Sequence, residues 1–186
     1  MSRPATLRIT DRPASEPVTL EEAKAQVGLL DSQEDFDEML ERLISTARRV
    51  VEQRLGITLL PAGYRATWPK GSVVLELPAG PLLEGSAYPL TVTVGDEELT
   101  EADYEIEADA MPPTITLDAT PGEKVTVEYW AGVETSDDVE PQLRSAILLW
   151  VDHAFENRGV VAEGGSVELP AGFEMLLAAS SYSGAY

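Results

Sequence analysis

EPQLRSAILLWVDHAFENRGVVAEGGSVELPAGFEMLL, residues 140–177, is the stretch of sequence that decides the fold. Pro141 suits the first turn of a helix, and the helix predicted from there to about Asn157 is apolar over more than half of its circumference. A Gly-rich loop and an LPAG turn follow, and then a short apolar helix is predicted at Phe173–Ala179. A helix that is apolar on most sides must be buried centrally or shared with a partner.

Two helices are predicted in the N-terminal part of the chain. Thr19 and Glu22 form a capping-box pattern that opens a short helix ending near Gly28. A second helix is predicted after Asp31-Ser32, because apolar residues recur there at helical spacing, and Gly56 stands where a glycine would end it. Residues 1–16 mix Pro, Ser, Thr and charges, and we predict that they form a mobile arm.

The middle of the chain changes to short runs of alternating apolar and polar residues, which predict strands with one buried face. The predicted fold is therefore α+β: a helical core of two N-terminal helices, a long C-terminal helix and a short last helix, with a small inserted antiparallel β domain. The predicted parts are an arm (1–16), N-terminal helices (17–60), the β domain (61–132), C-terminal helices that complete the helical core (133–179) and a tail (180–186). The predicted strands are Tyr64–Trp68, Val73–Leu77, Leu90–Val94, Tyr104–Ile106, Thr114–Leu117 and Val125–Trp130.

Charge is the most unusual property of the composition. In 186 residues, 33 acidic side chains against 13 Lys and Arg give a formal charge of −20, whereas 44% hydrophobic residues are ordinary for a folded domain. Nucleic-acid binding by phosphate neutralisation needs clustered basic residues, so the composition argues against it. The absence of cysteine excludes disulfides and thiolate chemistry. No stretch has the pattern of a signal peptide or a membrane span, so folding in the cytoplasm is expected.

The search for chemistry gives no catalytic, cofactor or metal site. His153 and Glu156 share one helical turn, but no third ligand has recognisable spacing, so a packed histidine is the better interpretation. The run from Asp31 to Asp37 resembles a calcium loop, yet Phe36 takes the position that needs glycine and Arg42 the one that needs a bidentate glutamate. No nucleotide-binding or nucleophile motif is present. We therefore predict that the chain is not an enzyme.

A dense acidic run lies in the β region with no basic residue inside it. Paired carboxylates could serve glycoside hydrolysis, but that reaction also needs a cleft for the sugar, and the sequence indicates none. A solvated surface is the simpler interpretation. The run consists of Asp96, Glu97, Glu98, Glu101, Asp103, Glu105, Glu107 and Asp109.

Four blocks of sequence resemble, in order, the head–tail connector (adaptor) family of tailed phages and phage-derived gene transfer agents. Each block alone is common, and the ordered set, which covers about 160 residues, carries the resemblance. The blocks are EPVTLEEAK at 16–24; LERLI and ARRVVE at 40–44 and 47–52 with the exit through Gly56 and Leu60-Pro61; LPAGPL at 77–82 with VTVEYWAG at 125–132; and PQLRSAILL at 141–149 with FENR at 155–158 and Leu169-Pro170 to Leu176-Leu177.

The resemblance implies a structural protein without cofactor. Members of the family form a ring of twelve copies beneath the portal, extend the DNA channel and offer a docking surface to the tail. By this resemblance the partners are further copies of the chain, the portal and a tail or stopper protein, while DNA passes through the lumen without specific binding, and no membrane is involved. The expected location is the virion neck, after assembly in the host cytoplasm.

The same resemblance suggests which residues make contacts. The strongly apolar helix supplies candidates for the subunit interface, which are Leu143, Ile147, Trp150 and Phe155. A C-terminal segment of the family is thought to engage the portal, so the portal-contact candidates are Leu176, Leu177, Tyr182 and Tyr186. The uncharged tail after Leu177 departs from the family pattern, in which an Arg-containing segment is common.

Two other functions stay open at the level of sequence. One is a different neck or tail-completion protein of the virion, which would share the acidity and the ring but contact tail proteins. The other is an acidic carbohydrate-binding or carbohydrate-active module, which would need two carboxylates at catalytic spacing within a pocket.

Overall fold

The computed structural model describes residues 3–157, 169–170 and 172–182. The described chain forms two compact units, a β unit of residues 3–14 and 56–134 and a helical unit of residues 15–55 and 135–182. Helices and antiparallel sheets are both present, so the predicted α+β class is confirmed. Within the described residues, no helix is both long and apolar enough to cross a bilayer.

The described residues of the helical unit form four helices: α1 (Leu20–Gln26), α2 (Asp37–Leu55), α3 (Pro141–Glu156) and α4 (Phe173–Ala178), with a short 3-10 turn at Ser136–Asp138. Local signals set their ends. The Thr19 hydroxyl accepts from the Glu22 backbone N–H at 3.1 Å and the Glu22 carboxylate accepts from the Thr19 N–H at 2.7 Å, which confirms the capping box. Gly56 follows α2 with a φ of 66°, the left-handed conformation that glycine adopts freely.

The core of the helical unit is the apolar stripe of α2 packed against α3. Leu40, Ala47 and Val51 of α2 have no exposed surface, and the same holds for α3 residues that face them. Burying one such large aliphatic side chain contributes about 2 kcal/mol, which is why the periodic stripe decides this part of the fold. Phe173 is also fully buried and holds α4 against α3.

The β unit contains nine strands in two antiparallel sheets. The first sheet has the order β1-β2-β9-β5-β6, with β4 also pairing with β9, and the second has the order β3-β8-β7. The strands are β1 (Thr6–Asp11), β2 (Ala62–Trp68), β3 (Val74–Glu76), β4 (Leu82–Leu83), β5 (Thr91–Val94), β6 (Glu97–Glu98), β7 (Tyr104–Glu107), β8 (Thr114–Leu117) and β9 (Val125–Ala131).

Alternating residues of the two sheets form one apolar core. In β9, Val125, Val127 and Tyr129 are buried while the residues between them are more exposed, as expected for a strand with one face inward. Trp68 of β2 is fully buried in the same cluster, and the ring of Tyr64 stacks on that of Tyr129 with centroids 5.6 Å apart.

The prediction of a mobile arm at residues 1–16 is wrong, because Thr6–Asp11 form strand β1. Strand β1 pairs antiparallel with β2, with Leu7 opposite Ala66 and Ile9 opposite Tyr64. The alternation of Leu7 and Ile9 with Thr and Arg is a short period-2 signal, which is typical of a strand. The pairing also covers an edge of β2 that would otherwise be open.

Gly63 allows the close approach of β1 to β2. A Cβ atom at this position would lie 2.6 Å from the Thr10 hydroxyl oxygen and 2.9 Å from a carboxylate oxygen of Asp11. The register of the pair shifts between Ile9 and Asp11, so β1 bulges at Thr10, beside Gly63 of β2.

Candidate assembly interfaces

The four subunit-interface candidates lie on α3, and three of them are buried within one copy of the chain. Leu143 and Ile147 have no exposed surface, and Phe155 is 9% exposed. Trp150 keeps partial exposure, as do its neighbours Leu148 and Leu149. Leu143, Ile147 and Phe155 therefore stabilise the helical unit itself, and Trp150 is the member of the set that keeps exposed surface.

An aromatic contact fixes the C-terminal end of α3. The rings of Phe36 and Phe155 meet edge to face, with centroids 5.4 Å apart and planes at 83°. This geometry aligns the positive edge of one ring with the negative face of the other and contributes about 1 kcal/mol beyond area burial. The contact joins the start of α2 to the last turn of α3.

The portal-contact candidates differ in exposure. Leu177 is 3% exposed and belongs to the core of the helical unit, whereas Leu176 and Tyr182 are partly exposed. Tyr186 lies outside the described residues. Met175, which the sequence reasoning did not single out, is 75% exposed on the outer side of α4. Its spacing from the buried Phe173 and Leu177 is the signal that it lies on the opposite side of the helix.

The segment after α4 is held on the start of α3. The Ser181 backbone N–H donates to both carboxylate oxygens of Glu140 at 3.2 Å, and the Ser181 hydroxyl donates to the same carboxylate. The Gln142 side-chain amide donates to the Ala179 carbonyl at 3.2 Å. Burial and, to a smaller extent, the charge of Glu140 raise the pKa of Tyr182 above its ordinary value. Residues 179–182 are thus docked on their own subunit.

Arg144 connects three parts of the helical unit. Its guanidinium donates to the Glu22 carboxylate at 2.5 Å and to the Ser136 carbonyl at 3.1 Å, and it lies 3.5 Å from the Asp137 carboxylate. Burial opposes ionisation of Glu22, but hydrogen bonds from the Thr19 backbone and from Arg144 outweigh it and hold the pKa of Glu22 below its ordinary value.

The acidic run forms an exposed surface of the β unit, which we call the acidic face. All eight of its carboxylates are exposed, in the turn before β6, in β6, in the turn before β7, in β7 and just beyond it. Hydrogen bonds from the side chain and backbone of Thr100 hold the pKa of Asp103 below its ordinary value. A surface with this density of acidic side chains repels phosphate groups.

A groove of 710 Å³ lies beside the acidic face in the β unit. Burial, and then the charges of Glu101 and Glu98, raise the pKa of Tyr104, whose ring forms part of the groove wall. The wall combines apolar and acidic side chains, including Leu82, Tyr88, Leu90, Glu101, Tyr104 and Ile106.

No group of three or more His, Asp or Glu in the described part of the chain could hold a metal ion. The calcium-like run instead contacts a buried lysine. The Lys24 ammonium, 3% exposed, lies 2.6 Å from the Asp37 carboxylate and donates to the Asp31 carbonyl at 3.0 Å. A side-chain cation therefore occupies this place between the start of α2 and the end of α1.

No protein-family model matches the chain, and no curated protein matches its sequence significantly. A protein in the neck of an empty gene transfer agent (GTA) particle, computed with C6 symmetry, aligns over 92% of this chain and 93% of its own length at a TM-score of 0.70 and 20% identity. A protein in the virion of a native GTA particle aligns over the same shares at a TM-score of 0.72 and 18% identity.

A third match is a protein in the neck of a native GTA particle computed with C12 symmetry, over 91% of this chain and 92% of that one, at a TM-score of 0.63 and 16% identity. The chain shares its fold with these particle proteins. At 16–20% identity, the shared fold over both units is what the comparison establishes.

Proposed function

We propose that the chain is a structural subunit of the neck of a tailed-phage-like particle, and specifically a head–tail connector that forms a ring between portal and tail. The observation that carries the proposal is the fold shared with GTA neck proteins over more than nine-tenths of both chains. The C6 and C12 symmetries of those necks support assembly as a closed ring, because identical head-to-tail contacts close when the rotation completes a circle.

The charge of the chain supports a role in a DNA conduit. A formal charge of −20 and the exposed carboxylates of the acidic face would repel DNA phosphates. Such repulsion removes the contacts that would hold DNA in place, so DNA could slide through the ring without binding. The protein would act as a conduit and a seal without catalysis.

The portal contact is assigned to the C-terminal segment. Leu176, Tyr182 and Tyr186 are the contact residues of this proposal, and Leu177 supports them by anchoring α4 in the core. Aromatic side chains suit such a role because they bury a large area at a modest entropic cost. On α3, Trp150 is assigned to contact a neighbouring subunit. Leu143, Ile147 and Phe155 are buried and hold α3 in the core of the helical unit.

The first experiment is native mass spectrometry with negative-stain imaging of the chain alone and mixed with the portal protein from the same genome. A ring that caps the portal is the expected result and would give the symmetry of the ring. Binding to tail proteins but not to the portal would instead support a neck or tail-completion protein one ring further down. Binding to neither would overturn the proposal.

A pair of variants tests the assignment of the C-terminal segment. Deletion of residues 180–186 should abolish portal capture, but it also removes the hydrogen bonds to Glu140 and the buried Ser180. The Tyr182→Ser variant keeps those bonds and should weaken capture by about tenfold, as expected for loss of one aromatic anchor. Full capture by both variants would exclude this segment as the portal contact.

The same particle proteins lend no support to a carbohydrate-binding or carbohydrate-active module. The proposed location is the neck of the virion, between head and tail, with assembly in the host cytoplasm.

A further inference from the structure

Strand β1 is an open edge of the first sheet. Its six residues are all exposed, and among the described strands it pairs only with β2. Leu7 and Ile9 are 42% and 53% exposed although they stand opposite Ala66 and Tyr64, on the core-facing side of the sheet. The strand therefore presents unpaired backbone groups together with apolar side chains, which is the usual form of a strand-addition site.

The charge of this segment is opposite to that of the rest of the molecule. Residues 1–14 contain Arg3, Arg8 and Arg12 against one acidic residue, Asp11, in a chain with a net charge of −20. Within the described part of the chain, Arg8 and Arg12 have no ion-pair partner, and both are exposed. Exposed cations beside apolar residues fit a partner that is acidic and apolar at once.

The groove beside the acidic face is both acidic and apolar. Strand β7 is an edge of the second sheet, and its Ile106 is 36% exposed at the wall of the groove. Glu105 and Glu107 flank Ile106 on the same strand and are exposed, and Glu101 lies in the wall itself. The groove thus offers an open strand edge, apolar contacts and a row of carboxylates.

Strand β1 cannot reach the groove of its own subunit. In the first sheet, β2 and β9 separate β1 from β4 and β5, the strands next to the groove wall. Three strand spacings amount to about 14 Å, and the pairing of β1 with β2 holds it at the far edge. The two complementary surfaces of one copy are therefore available only to other copies, in a head-to-tail contact that can close into a ring.

We propose that β1 of one copy lies in the groove along β7 of the next copy, with Leu7 and Ile9 on its apolar wall and Arg8 and Arg12 against the carboxylates of Glu101, Glu105 and Glu107. This contact rests on the proposed ring and identifies the surfaces that join its subunits. It is a strand addition between copies that charge complementarity directs.

The absence of native cysteine makes cross-linking a clean test. An Ile9→Cys variant and an Ile106→Cys variant of the full chain are mixed in equal amounts at high concentration and treated with a short bis-maleimide. We expect a cross-linked dimer that contains one copy of each variant. The matched control replaces Ile106→Cys by Leu30→Cys, since Leu30 is 69% exposed in the helical unit. A yield no higher than that of the control overturns the proposal.

Charge reversal adds a second measurement. Arg8→Glu in the Ile9→Cys chain should lower the yield of mixed dimer by about tenfold at low salt, because it places like charges together. Glu105→Arg in the Ile106→Cys chain should restore most of that yield. If Arg8→Glu leaves the yield unchanged, the charge contact is refuted. A separate measurement of portal capture distinguishes the strand contact from the connector function. If the chain captures the portal but does not form this cross-link, only the proposed strand contact is refuted. If the cross-link forms but the portal is not captured, the proposed connector function is refuted.

Discussion

Ser181 donates its backbone N–H and its hydroxyl to the carboxylate of Glu140, a residue 41 positions earlier in the chain. Glu140 directly precedes α3, so one carboxylate joins the start of that helix to the segment that follows α4. Tyr182 is the next residue, and its position depends on this contact. The docking of the C-terminal segment can therefore be tested through a single side chain.

Replacement of Glu140 by Gln should lower the pKa of Tyr182 part of the way toward its ordinary value of 10.0. The charge of Glu140 disfavours the phenolate, and Gln removes that charge while keeping a hydrogen-bond acceptor. Burial, the larger cause, would persist, so the pKa should remain above the ordinary value. Wild type and the Glu140→Gln variant are titrated by ultraviolet absorbance, and the curve of the same protein carrying Tyr182→Phe is subtracted from each to isolate Tyr182. An equal Tyr182 pKa in the two proteins would contradict the effect of the Glu140 charge on Tyr182.

The pH dependence of docking follows from the same shift. Because the folded protein holds the phenol proton more tightly than the unfolded chain, docking of Tyr182 adds stability below the ordinary pKa and loses it as pH rises through the raised folded pKa. The protection factors of residues 177–182 in hydrogen exchange, which correct for the base-catalysed intrinsic rate, should therefore fall at strongly alkaline pH. The Tyr182→Phe variant is the control, since it should show no such step.

Replacement of Arg144 by Gln should lower the free energy of unfolding by about 1 kcal/mol at neutral pH, a modest value because the pair with Glu22 is partly exposed. The folded pKa of Glu22 is lowered, so its contribution is present above the ordinary value of 4.5 and is lost as pH falls through the folded value. Urea unfolding at pH 7 and pH 3 measures this. The difference between wild type and variant should shrink at the lower pH.

The control for Arg144 is the exposed pair between Arg65 and Glu128, whose side chains are about half exposed. Replacement of Arg65 by Gln should change the free energy of unfolding by less than about 0.5 kcal/mol at either pH. An equal loss of unfolding free energy in both variants would mean that the Arg144 contacts stabilise the fold no more than an exposed ion pair does.

Replacement of Gly132 by Ala should destabilise the β unit by about 2–4 kcal/mol. Gly132 has a φ of 120°, and a Cβ atom there would lie 2.5 Å from the Leu60 carbonyl carbon and 2.6 Å from its oxygen. Gly122→Ala is the matched control, because nothing lies within 4 Å of the added Cβ. Thermal unfolding compares the two variants, and a stable Gly132→Ala protein would show that this backbone can relax.

Residues on α3 should separate into two groups by the measurement that they affect. Ile147→Ala removes a fully buried side chain and should lower the free energy of unfolding by roughly 3 kcal/mol. Trp150→Ser, at a partly exposed position, should cost roughly half as much and should mainly weaken association between copies. Urea unfolding and native mass spectrometry give the two quantities, and a Trp150 variant that assembles normally would remove this residue from the proposed interface.

The parts of the fold that local chemistry determines could be predicted from sequence. The Thr19–Glu22 capping box, the glycine after α2 and the proline at the start of α3 act through neighbouring residues, and the structure confirms all three. Strand β1 is hard to predict because Pro, Ser and charged residues around Leu7 and Ile9 obscure a short alternation. A strand exposed on all its residues also lacks the strong apolar pattern of a buried one.

The candidate interfaces could be predicted only in part. The apolar excess of α3 indicated burial, but one chain alone does not tell which side chains are covered by α2 and which remain on the surface. The contact of Ser181 with Glu140 joins two short polar segments that share no periodic pattern. Similarly, the groove is built from residues of β4, the segment after it and β7, and β4 and β7 belong to different sheets that come together only in the folded β unit.

Within the described residues, the chain passes between the two units three times, after residues 14, 55 and 134. Recombination that replaced residues 56–134 with a short linker would leave β1 without its partner strand β2. The exposed Leu7 and Ile9 would then lie on an unpaired strand, which promotes aggregation. A shortened relative that has lost the β unit should accordingly have lost its first strand as well. The N-terminal segment and the distant insertion would therefore have to be lost or kept together, although the helical residues 15–55 lie between them.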